Sequence, residues 1–273
     1  MKTTPTAALA LLLLPLLSPA PAARATTVVA VKTPTEIVIG ADSKVTDAFG
    51  NDAGRQACKI VQAGTLFFAH EGMARHRLTG FDVARVAREA LLRAAPDSTA
   101  AERVGAMTGA LATELFAELP RLKRLDPDTY RAKVEGRVFL KVLVAAFERG
   151  RPLLFVRHFR AAHARADIFG VTVTPDDCLA DCGAEEGARV TRLLGETEAI
   201  EGLAEETPGF WEAGTADGVR RLVETEIAAR DAYVGPPVDI LRIDRTGARW
   251  LQKKPACPDV RPQPRGRARG PRR

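Results

Sequence analysis

Aromatic side chains are scarce, 5% of the 273 residues, and histidine and cysteine occur only four times each. The aromatic deficit accompanies an abundance of alanine, arginine and leucine, and reads as GC-rich coding bias rather than as function. The shortage of histidine and cysteine limits metal chemistry. A structural zinc site takes four ligands at characteristic spacings. His70, His76, His158 and His163, with Cys58, Cys178, Cys182 and Cys257, match none of them. No metal is therefore expected. Beyond the start of the chain, no segment approaches the roughly 20 apolar residues that a membrane helix needs, so no membrane anchor is expected. Internal repeats and linker-like breaks are also lacking. With 46% apolar residues, the chain has ample material for one large domain or two small ones.

What is present begins with a targeting pattern. Lys2 gives a short positive start, and Ala8–Leu17 is a compact apolar run too short to anchor in a bilayer. Ala23-Arg24-Ala25 supplies the small-x-small pattern that a signal peptidase reads. Residues 1–25 are thus expected to be a signal peptide, with export to periplasm or medium and a mature chain that starts at Thr26. The net charge of +6 shrinks in that light. Lys2 and Arg24 leave with the signal, and the end of the chain after Cys257 carries six arginines against Asp259. The body between is close to neutral. The Pro/Gly/Arg segment 255–273 lacks the apolar surface to offset its ordering entropy and is expected to be disordered. Such tails contact nucleic acid, anionic lipid or acidic partners in some proteins; as a solvated appendage this one needs none, and no nucleic-acid partner is expected. Export permits disulfides. Cys178 and Cys182 are close enough to pair across a turn, but spacing does not fix connectivity. Cys58 reads as a small, inward-packed apolar residue.

Two runs rich in Val and Ile, residues 26–31 and 36–43, flank Lys32-Thr33-Pro34-Thr35 and read as a β-hairpin. Both are apolar on both faces, so the sheet should be covered on each side. Further strands are expected over 59–63, 65–69, 138–147, 153–158, 238–244 and 248–252. Helices are expected from Phe81 to near Pro96, after a cap at Asp97-Ser98, and over 184–195 and 215–230. Hairpins dominate, so the sheets should be antiparallel. The expected fold class is α+β: residues 26–254 as one domain, a four-layer αββα sandwich with two antiparallel sheets between helical layers.

A hairpin centred on Pro34 sets Val31 against Ile37 and Thr26 against Asp42, with opposed side chains about 5 Å apart. A one-residue slip would undo that pairing. An N-terminal threonine combines a hydroxyl nucleophile with an α-amine whose reference pKa of about 7.7–8.0 suits it as a base. A nearby ammonium lowers the pKa of both groups, and a carboxylate is required to hold that ammonium in place.

The stretches "TTVVAVKTPTEIVIGADSK" and "ACKIVQAGTLFFAHEG" resemble the start of a proteasome β-type subunit, an N-terminal nucleophile hydrolase. "ARDAYVGPPVDILRIDRTGARW" is similar to that family's Arg-Asp-x-x-Ser-Gly stretch and closing hairpin. The resemblance spans most of residues 26–253 and implies the αββα sandwich, cleavage of amide bonds in peptides or small amides, and no cofactor. Matched position by position, Thr26 is the nucleophile, Asp42 the carboxylate at the base of the site and Lys59 the catalytic lysine. Gly72 is the oxyanion-hole glycine, and Asp231 the acidic residue near the amine. Lys44, on the same strand parity as Thr26 and Asp42, is the rival lysine. Thr27 is read as structural. The family's ring assembly allows a homo-oligomer. Two departures weigh against activity. Val234 replaces one family serine, and no serine stands near Gly183-Ala184, where a second is expected; Glu185 or Glu186 is the candidate substitute. Ala25 rather than glycine precedes Thr26, which points to signal peptidase instead of self-processing. The rival readings are a catalytically inactive structural or binding subunit, and an unrelated exported binding module that uses the arginine tail.

Overall fold

The computed structural model describes residues 26–46, 52–76, 78–95, 97–165 and 168–261. The order opens with strands β1 (Thr27–Lys32), β2 (Glu36–Ala41), β3 (Lys44–Thr46), β4 (Asp52–Gln56), β5 (Val61–Ala63) and β6 (Leu66–Gly72). The short β7 (Arg75–His76) and β8 (Phe81–Asp82) lead into helices α1 (Val83–Arg93), α2 (Ala100–Leu125) and α3 (Pro127–Lys133). Three longer strands follow: β9 (Val138–Glu148), β10 (Arg151–Arg165) and β11 (Ile168–Pro175). Strand β12 (Val190–Gly195), helices α4 (Leu203–Glu206) and α5 (Thr215–Ala229), and strands β13 (Asp239–Asp244) and β14 (Gly247–Gln252) complete it.

Two five-stranded antiparallel sheets form, in the orders β12-β1-β2-β13-β14 and β11-β10-β9-β6-β5. Strands β1 and β2 are central in the first sheet, which is why their sequences are apolar on both faces. Val28, Ala30, Ile37 and Ile39 meet Phe67, Leu143 and Leu154 of the second sheet. Val29, Val31 and Val38 instead pack on Val219, Leu222 and Val223 of α5. The outer face of the second sheet, with Phe68, Leu140 and Val144, packs on Val104, Met107, Leu111 and Leu115 of α2. Full burial of each such side chain contributes about 1.5–3 kcal/mol. Helix α2 starts at a capping box in which Thr99 and Glu102 bond each other's backbone N–H.

The four-layer αββα expectation is corrected by this arrangement. The described chain is mixed, about 37% strand and 29% helix. Two additional two-stranded sheets, β3-β4 and β7-β8, stand beside the larger ones. The helices are distributed unequally, because the segment expected as a helix over 184–195 is irregular until β12. Val190-Thr191-Arg192-Leu193-Leu194 satisfies its backbone as an edge strand on β1 instead. Residues Pro255–Arg261, at the start of the segment expected to be disordered, are held in place: Cys257 is disulfide-bonded, and the Arg261 N–H donates to Gln62 Oε1 at 2.8 Å. Residues 262–273, like 1–25, lie outside the described residues.

Candidate active site

The β1–β2 hairpin turns through Thr33–Glu36, with the Thr33 N–H donating to the Glu36 carbonyl at 2.9 Å. Pro34 and Thr35 are the two central residues, and Pro34 takes the position where a fixed φ favours a turn. The symmetry centre therefore falls between Pro34 and Thr35, and Val31 opposes Val38 rather than Ile37. This one-residue correction sets Thr27, not Thr26, against Asp42. The Thr27 N–H donates to Asp42 Oδ1 at 2.8 Å, and the Asp42 N–H donates to the Thr27 carbonyl at 3.2 Å.

Asp42 is fully buried, and donors converge on both of its oxygens. The Lys59 ammonium pairs with Oδ1 at 2.6 Å. The N–H groups of Lys44 and Gly235 each donate to Oδ2 at 3.1 Å. A carboxylate that accepts from several backbone amides is held rigidly. Burial holds the Lys59 amine below its ordinary range; Asp42 opposes that effect, and the Lys254 charge reinforces it. The rival lysines differ in what their ammonium groups touch. The Lys44 ammonium donates to the Asp231 carbonyl at 2.7 Å, and its backbone N–H donates to Asp42.

The two threonines differ in their surroundings. Thr27 is fully buried, and its hydroxyl donates to the Glu196 carbonyl at 2.8 Å. Thr26 precedes β1 and is half-buried. The Thr26 carbonyl accepts the Glu196 N–H at 2.8 Å. Gly195 makes this approach possible: its φ is +91°, and a Cβ there would collide with that carbonyl. Glu196 is the site residue that sequence reasoning missed, because β12 was read as a helix. The expected place for a second serine, Gly183-Ala184, does not belong here. Ala184 lies with Thr33 and Pro34, at the other end of β1. Glu185 and Glu186 are exposed in the same irregular segment.

Two further expected residues lie on other elements. Gly72 ends β6, in the second sheet, with φ +96° and no room for a Cβ beside the Phe139 carbonyl. Asp231 is exposed beyond the end of α5, and its carbonyl, through Lys44, is what reaches the site. Val234 is buried and carries no hydroxyl, while the next residue, Gly235, supplies an N–H to Asp42. Cys58 is not a free, inward-packed thiol: it is disulfide-bonded to Cys257, and Cys178 is bonded to Cys182. No group of histidine, cysteine and acidic residues fit to hold a metal occurs among the described residues. No helix among them is long and apolar enough to cross a membrane.

Neither protein-family models nor curated protein sequences yield a match to this chain.

Proposed function

We propose that the mature chain is an exported N-terminal threonine hydrolase that cleaves amide bonds in peptides or small amides. The observation that carries this reading is the Lys59–Asp42 ion pair, bonded to the Thr27 N–H one residue from Thr26. If cleavage after Ala25 exposes Thr26, nucleophile and base occupy one residue beside that ammonium. The Thr26 amine takes the hydroxyl proton as Oγ attacks the carbonyl carbon. The Lys59 charge favours the ionised oxygen, and the Gly72 N–H receives the oxyanion. The amine then returns the proton to the departing nitrogen, leaving an ester on Thr26 that water hydrolyses. Asp42 is a positioning residue for Lys59, and Asp231 is assigned to orientation of the amine. The similarity of the N-terminal stretch to proteasome β-type subunits supports peptides as the substrate class and a homo-oligomeric state.

The second reading is an inactive binding subunit, favoured by the buried, hydroxyl-free Val234 at a family serine position. Treatment of the mature protein with a β-lactone decides between them. An adduct on Thr26 that is abolished by Thr26→Ala supports the hydrolase. A correctly processed protein that takes up no label supports the binding subunit.

A further inference from the structure

Behind the Lys59–Asp42 pair lies a second buried ion pair that the chemistry above does not use. Lys254 is 2% exposed and Asp239 is fully buried. The Lys254 ammonium pairs with Asp239 Oδ2 and donates to Ser43 Oγ, and the Lys254 N–H donates to Asp239 Oδ1 at 2.8 Å. Ser43 is itself buried, and its N–H donates to the Gly235 carbonyl at 2.9 Å. Gly235 in turn donates to Asp42. A continuous set of polar contacts thus runs from Lys254 to the carboxylate that clamps Lys59.

Lys254 belongs to no strand or helix. Its segment returns to the site after β14, and one covalent bond fixes it there. Cys257, whose N–H donates to the Lys254 carbonyl at 3.0 Å, is bonded to Cys58, the residue immediately before Lys59. The bridge joins positions 199 residues apart in the chain. The charged or titratable groups around Lys59 are Asp42 at the end of β2, Asp239 on β13, Lys254 on the returning segment and His70 on β6. Of these, Lys254 lies in the segment that the disulfide ties to the residue before Lys59, and Asp239 and Ser43 hold its side chain there.

We propose that the Cys58–Cys257 disulfide is a redox latch on the threonine site, with Lys254 as its positioning residue. Closed, it seats the Lys254 ammonium behind Asp42 and keeps water from Lys59. Open, it releases both. Opening requires a dithiol reductant: two electrons and two protons convert the bridge to two thiols while the reductant becomes a disulfide. The consequence for catalysis rests on the hydrolase reading; the effect on Lys59 does not.

The test follows the Lys59 Cε resonance during a pH titration of 13C-lysine-labelled mature protein, assigned with Lys59→Arg, alongside β-lactone labelling. In Cys58→Ser/Cys257→Ser and in Lys254→Met, the Lys59 midpoint should rise toward that of an ordinary lysine. Hydration returns to the amine and a neighbouring positive charge is lost, and both effects act in that direction. The charged Lys59 is the form that favours the ionised oxygen, so a midpoint that rises leaves the amine charged at neutral pH, and labelling there should not fall. Cys178→Ser/Cys182→Ser should change neither quantity. Where Lys254→Met does not fold, the bridge variant alone decides the midpoint, because Lys254→Met/Asp239→Asn removes two charges that act on Lys59 in opposite directions. A Lys59 midpoint unchanged by loss of the Cys58–Cys257 bridge, or moved equally by loss of the other bridge, overturns the latch. A wild type that takes no label counts against the hydrolase reading alone, and the titration still decides the latch.

Discussion

Thr27 and Asp42 form a mutual pair, each N–H donating to an oxygen of the other, and this pair ends the β1–β2 ladder. Thr26 therefore stands one residue beyond the contact with β2, and its carbonyl accepts the Glu196 N–H on the β12 side. The buried residue anchors the strand, and its neighbour is presented at the strand end.

The two threonines should separate cleanly on substitution. Thr27→Val removes only the hydroxyl bond to the Glu196 carbonyl, and should cost about 1 kcal/mol of stability while labelling persists. Thr26→Ser should retain labelling and Thr26→Ala should abolish it, with little change in stability for either. Denaturant titration and adduct mass on the four proteins check this.

Asp42→Asn leaves the Lys59 ammonium without its counter-charge in a buried site. Breaking a buried pair from one side costs about 3–5 kcal/mol, and labelling should fall in parallel. Asp42→Asn/Lys59→Met removes both charges and should recover most of the stability but none of the labelling. Urea unfolding of the single and double variants measures the difference.

Much of the site was legible in the sequence because its parts are local: a strand, a turn and a carboxylate 16 positions after a threonine. The expected opposition of Thr26 to Asp42 differs from the structure by one residue, because Pro34 alone does not mark the centre of the turn but shares it with Thr35. Glu196 was not legible. Its place depends on pairing of β12 with β1 across more than 160 residues, and Val190–Gly195 carries no signal naming its partner. The disulfide between Cys58 and Cys257 was hidden for the same reason, since contacts of such span are set by the packed sheets. The αββα expectation failed where 184–195 was read as a helix, although its second half alternates as an edge strand.

Gly195→Ala should disable the site without unfolding the chain. A left-handed conformation costs a non-glycine residue about 1–2 kcal/mol, and the new methyl also meets the Thr26 carbonyl. The displacement falls on Thr26, so labelling should disappear. Gly54→Ala, also left-handed but with open space around it, should show the modest stability loss and keep its label. Circular dichroism confirms folding, and adduct mass reads the site.

His70 gives the account a pH signature. Burial lowers its pKa from 6.5 to about 4, and its Nδ1 is buried without a hydrogen-bond partner. The unfolded chain therefore binds this proton more tightly than the folded one. The stability linked to His70 is fully present above pH 6.5 and is lost as the pH falls toward 4. His70→Gln should flatten that slope, as read from unfolding free energies between pH 7 and 4, and the His70 ring resonances should titrate near the lower value.

The most direct measurement is N-terminal sequencing of the exported protein together with mapping of the β-lactone adduct on the same sample. The expected chain begins Thr26-Thr27-Val28 and carries the adduct on Thr26. A processed chain that begins at any other residue, or an adduct that forms elsewhere and survives Thr26→Ala, contradicts the hydrolase reading.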